Sequence, residues 1–117
     1  MRIIVCGSRN WTSKKYIMSV LQSLPPNTVV IEGECRGADL LARETAEELG
    51  FTVESYPADC NRWGKKAGPM RNCEMLNSGV DMVIAFHHDL SKSKGTKHMV
   101  GIAEQADIMV LVFPKRT

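Results

Sequence analysis

The sequence predicts a three-layer α/β domain on a five-stranded parallel sheet, with strand order 3-2-1-4-5. Two observations predict it. Short, continuous apolar runs recur along the chain, as strands buried on both faces should read, and segments of helical spacing separate them.

Ile3-Ile4-Val5 before Gly7 is the first strand, Val29-Val30-Ile31 before Gly33 the second, and Phe51-Thr52-Val53 the third. Met82-Val83-Ile84-Ala85 and the run from Ile108 to Phe113 complete the five. Between strands one and two, Tyr16, Val20 and Leu24 recur every four residues, and Pro25-Pro26-Asn27 closes that helix. Ala38, Leu41, Ala42, Thr45 and Leu49 form one stripe of a second helix, with Gly50 at its C-terminal cap. Pro69 suits the first turn of another helix, and Met99 to Ala106 reads as a further short one. Right-handed crossovers between parallel strands, beginning in the middle of the sheet and returning to its other side, give the proposed order and a Rossmann-like form. Two segments read as long loops, Pro57 to Gly68 and His87 to Lys97.

The 117 residues, 44% of them apolar, suffice for one core and so for a single domain over residues 1–117. A formal charge of +2 with scattered basic residues neither demands nor excludes nucleic acid. No charged segment precedes a long apolar stretch, so a cytoplasmic protein without membrane association is expected. Cys6, Cys35, Cys60 and Cys73 are irregularly spaced without a CxxC pair, which favours free thiols in a reducing compartment. Adjacent His87 and His88 do not by spacing define a metal site, and neither a metal nor a cofactor is expected.

The first strand runs into Gly7-Ser8-Arg9, where glycine admits close backbone approach and serine and arginine offer donors to an anion. A plain turn explains the same residues. Neither GxGxxG nor a Walker A loop is present. The second strand runs into Gly33-Glu34-Cys35-Arg36-Gly37-Ala38-Asp39, two glycines at a helix start, where unpaired amides would face a phosphate. Asp39 would otherwise be a helix cap. In the third loop and the helix after it, Trp63 offers a flat face to a base or closes a satellite core. Gly68 precedes Arg71 and Asn72, and Arg71 suits bidentate phosphate binding. After the fourth strand, Ser93, Gly95 and Thr96 lie in a small polar segment leading into a helix, a second source of phosphate donors or a solvated basic loop.

Taken together, Gly7-Ser8-Arg9, Gly33-x-x-x-Gly37-Ala38-Asp39, Pro57-Ala58-Asp59, Ala67-Gly68-Pro69-x-Arg71-Asn72-x-x-Met75 and Gly95-Thr96 resemble the SLOG superfamily, in particular its YspA-like branch. That superfamily includes DprA/Smf and the Lonely Guy phosphoribohydrolases. The resemblance implies a Rossmann-like domain that senses or processes a nucleotide ligand, with relatives often sharing a site between two chains as homo-oligomers. It also implies what is missing. A Lonely Guy enzyme carries a glutamate three residues beyond its Gly-Thr, where this chain has Met99, and Ser93-Lys94 replaces its glycine pair.

The leading expectation is therefore a module that binds a nucleotide or nucleotide-derived phosphate ligand at the C-terminal edge of the sheet. The alternative is hydrolysis or transfer at a nucleotide's N-glycosidic bond. Its oxocarbenium-like state needs a carboxylate, so Arg71 would act with Asp39, Asp59 or Glu34 as substitute. A DNA-associated role rests on the likeness to DprA and on Lys92, Lys94 and Lys97, and ranks last.

Overall fold

The computed structural model describes residues 1–114. The five apolar runs form strands β1 (Arg2–Gly7), β2 (Val29–Glu32), β3 (Thr52–Ser55), β4 (Met82–Phe86) and β5 (Met109–Phe113). All pair in parallel, in the order β3-β2-β1-β4-β5 that the sequence predicts. Central strands β1 and β4 are paired from Ile3–Met82 to Gly7–Phe86, so the most apolar strands satisfy each other's backbone groups along that length.

Alternation along β1 sorts the core into two layers. Ile3 and Val5 face helices α1 (Lys14–Leu21) and α2 (Ala38–Glu48), packing with Ile17, Leu21, Ala42 and Ala46. Ile4 and Cys6 face α4 (Ala67–Asn77) and α5 (Gly95–Gln105), packing with Met75, Met99, Val100 and Ala103. The fifth helix, α3 (Cys60–Trp63), is a single turn ahead of α4.

Local details depart from the sequence reading for identifiable reasons. In α1 the fully buried positions are Ile17 and Leu21, while Tyr16, Val20 and Leu24 flank them half-buried. The apolar stripe is wider than one row, and its centre lies one residue over. Ser13 caps this helix, accepting from the Tyr16 amide at 3.2 Å. Strand β3 runs on through Glu54, whose carboxylate receives two N–H bonds from Arg2 at 2.8 and 2.9 Å, so an edge strand accommodates a charge. The two segments read as long loops are partly helical: Pro57–Gly68 holds α3, a 3₁₀ turn over Gly64–Lys66 and the start of α4. His87–Lys97 holds a 3₁₀ turn over Leu90–Lys92 and the first residues of α5. Among the described residues no helix is long and apolar enough to cross a membrane.

Candidate functional site

Because all five strands run the same way, the loops after them gather at one edge of the sheet. The chain order reverses between β1 and β4, which opens a crevice there. A cleft of about 400 Å³ occupies this position, floored by Cys6 and Gly7 at the end of β1 and walled by segments after β1, β2 and β4 and by α4.

The β1 wall is shaped by backbone crowding. A Cβ at Gly7 would lie 2.2 Å from the Phe86 carbonyl oxygen, so only glycine lets β1 and β4 close here, and the Ser8 amide then donates to that same oxygen at 2.9 Å. The Ser8 hydroxyl accepts from the Asn10 amide at 3.0 Å, leaving Arg9 and Asn10 exposed at the rim. Gly37 seals the loop from behind. Its φ is +82°, and a Cβ on it would come within 2.3 Å of the Ser8 carbonyl oxygen. Ala38 then donates its amide to that oxygen at 3.1 Å.

Of the amides expected to be unpaired between Gly33 and Asp39, those of Gly33, Glu34 and Cys35 are bonded within the loop, and that of Ala38 to Ser8. The Gly33 and Cys35 amides both donate to Asp39 Oδ2, at 3.2 and 3.3 Å, and the Glu34 amide donates to Glu32 Oε2. Asp39 thus ties down the loop before its own helix rather than capping the first turn, and the N-cap is Gly37. Asp39 is 5% exposed, and burial pushes its carboxyl pKa up to about 6 against the opposing pull of the Cys35 amide and of Arg71.

Arg71 crosses to this loop from α4. Nη1 donates to the Gly33 carbonyl at 2.8 Å and approaches Cys35 Sγ at 3.7 Å, while Nε donates to Asn72 Oδ1 at 3.0 Å. Nη2 has no such partner among the described residues, and Arg71 forms no ion pair there. Asn72, buried, extends the chain of bonds to the last wall: its Nδ2 meets the Gly95 carbonyl at 3.2 Å and His98 Nδ1 at 3.1 Å. At that wall Ser93 accepts from the Thr96 amide at 3.0 Å and fixes the start of α5. Beside it, burial lowers the pKa of His87, and its Nδ1 accepts from the Asp89 amide at 2.9 Å.

Of the residues singled out in the sequence, Gly7, Ser8, Arg9, Asp39, Arg71, Asn72, Ser93, Gly95 and Thr96 line this one cleft. Gly33, Gly37 and Ala38 stand behind it and hold its walls, and Gly68 lies against Arg71 Nη2. Arg36 is exposed and lines none of it. Trp63 lies outside, with the Arg62 guanidinium 4.8 Å from its ring centre. Asp59 also lies outside and caps α3, accepting from the Arg62 amide at 3.1 Å; Glu34 pairs with Arg43 at 3.3 Å. Residues that the sequence did not single out as ligand contacts also line the cleft, among them Asn10, Cys35, Met75, Lys92 and Lys94. The two lysines carried a signal, flanking Ser93 in a glycine-containing polar loop. Cys35 lies in the second glycine loop and Met75 ends the motif of α4, but tertiary packing, rather than their residue type, brings them to the cleft.

A family model described as "YspA, cpYpsA-related SLOG family" matches residues 1–63. The Gene 61 protein of Mycobacterium phage D29 is 36% identical over 121 residues, covering 96% of this chain and 95% of that protein. Among solved structures, DNA processing protein A (DprA) from Streptococcus pneumoniae superposes with a TM-score of 0.76 at 19% identity, over 98% of this chain and 50% of that one. The chain therefore spans half the length of that structure, and the likeness is one of fold.

Proposed function

We propose, from the premise that this chain belongs to the YspA, cpYpsA-related SLOG family, that it binds a nucleotide or nucleotide-derived phosphate ligand in the cleft between β1 and β4, as a sensor or binding module. The observation that carries the reading is the convergence of Ser8, Arg9, Arg71 and the Ser93–Thr96 start of α5 on one cleft at the switch point of a parallel sheet. Hydroxyls, a guanidinium with a free Nη2 edge and a helix N-terminus are the groups that recognise phosphate. A nucleotide is also a metabolite of the cytoplasm, the location proposed for the protein.

The test is thermal unfolding of the purified chain against a panel of nucleoside mono-, di- and triphosphates and nucleotide sugars. A ligand at about a hundredfold its Kd adds about 2.7 kcal/mol, a shift of several degrees for a domain this size. Stabilisation by at least one member is expected, and none by any member sinks the proposal.

One observation favours a second reading, N-glycosidic cleavage. Asp39 is the only one of the three substitute carboxylates lining the cleft, and its raised pKa suits proton transfer near neutrality. Arg71 would then orient the phosphate. Met99, in the position of the familial glutamate, is wholly buried in the core and takes no part. Incubation with nucleoside monophosphates, with released base read by chromatography, decides between the two; no base released leaves binding alone.

A further inference from the structure

We infer that the cleft takes a ligand with two linked phosphate groups, a nucleoside diphosphate or a diphosphate-linked nucleotide, in preference to a monophosphate. The inference rests on the nucleotide reading above and adds the number of phosphates.

The charge of the lining carries it. Four cationic side chains, Arg9, Arg71, Lys92 and Lys94, face one carboxylate, Asp39. None of the four forms an ion pair among the described residues, whose salt bridges all involve Arg2, Lys14 or Arg43. Burial lowers the pKa of His87 and its Nδ1 accepts a hydrogen bond, so the positive charge is that of the arginines and lysines. The lining thus exceeds by one or more charges what a single terminal phosphate, at about −2, would neutralise. A chain of formal charge +2 carries this excess in one cleft.

The placement of the cations agrees. Arg9 follows β1 and Lys92 and Lys94 follow β4, so they approach from opposite sides of the switch point, with Arg71 entering from α4. The α5 start belongs to the β4 side and Ser8 to the β1 side, giving each side a hydrogen-bonding group beside its cation. A β1 station and a β4 station in one cleft, with the guanidinium held at the β2 loop beside them, fit two phosphates in succession. The lining contains no Phe, Tyr or Trp on which a base would stack, which puts the discrimination in the phosphates.

Titration calorimetry of the purified chain with ADP, UDP and AMP tests this, alongside the Lys92→Ala/Lys94→Ala double variant and Lys97→Ala. Both lysines of the double variant are exposed, and Lys97 is an exposed neighbour outside the cleft. Expected are ADP and UDP within about threefold of each other, both at least tenfold tighter than AMP. The gap should fall to about threefold in the double variant and persist in Lys97→Ala. AMP binding within threefold of ADP in the parent chain overturns the inference and leaves the nucleotide reading standing. So does a gap unchanged in the double variant. Binding of none of the three overturns the inference, and the nucleotide reading falls with it only if no member of the wider thermal-unfolding panel stabilises the chain.

Discussion

Arg71 and Gly33, 38 residues apart, are joined by a 2.8 Å hydrogen bond from the guanidinium Nη1 to the glycine carbonyl. A Cβ at position 33 would lie 2.5 Å from that same nitrogen. Gly33 is therefore required less by its own backbone, whose φ is not positive, than by the side chain lying across it.

Gly33→Ala should move the guanidinium without unfolding the protein, since the obstacle is the far end of a flexible side chain. Nucleotide affinity should fall about as far as in Arg71→Ala, by on the order of 1.5 to 3 kcal/mol for a charge-assisted contact. Calorimetric titration of the two variants checks this. Normal affinity in Gly33→Ala with loss in Arg71→Ala would show that the guanidinium binds ligand from another position.

Gly37→Val should behave differently, because the obstacle is backbone. With φ at +82° and a Cβ within 2.3 Å of the Ser8 carbonyl oxygen, neither strand loop can yield cheaply. A loss of stability on the order of 2 to 4 kcal/mol is expected in urea unfolding. Stability within about 0.5 kcal/mol of the parent would mean that the β1 and β2 loops are not clamped here.

Asp39 links stability to pH. Its folded pKa, about 6, lies above the ordinary 3.8, so the native state favours the protonated form. The stability this contributes is fully present below the unfolded value and is lost as pH rises through the folded one. Relative to Asp39→Asn, the parent should lose on the order of 3 kcal/mol between about pH 4 and pH 7. Urea unfolding of both proteins across that range reads it directly. Parallel stability curves would mean that the carboxylate is as well solvated in the fold as out of it.

The Ser93 hydroxyl holds the first turn of α5 through the Thr96 amide. Ser93→Ala should lower stability by about 1 kcal/mol, as loss of a hydrogen bond to a first-turn amide does. It should also loosen the α5 wall, seen as faster amide exchange at Thr96 with exchange in β1 unchanged. Equal protection at Thr96 in both proteins would remove Ser93 from the positioning of that wall.

The sheet was legible because its signals are local. Ile3-Ile4-Val5 and Met82 to Ala85 are short, β-branched-rich apolar runs next to turn signals, as strands buried on both faces read. The glycine loops were legible as places, and less so as chemistry. Nothing local says that the Gly33 and Cys35 amides turn back onto Asp39, because that bond depends on how α2 is set against β1. Trp63 and Asp59 show the converse. Their residue types suit a ligand, yet the single turn of α3 places one beneath Arg62 and makes a cap of the other. Cys35 and Lys94 join the cleft only once β2 and β4 lie on either side of β1.

Chemical-shift mapping of the backbone amides, during titration of the isotopically labelled chain with ADP, tests directly whether the cleft between β1 and β4 holds the nucleotide. Saturable shifts are expected at Ser8, Arg9, Gly95 and Thr96, on the two sides of the cleft, with α1 and the outer face of α2 unmoved. Shifts confined elsewhere, or none at millimolar nucleotide, would contradict it.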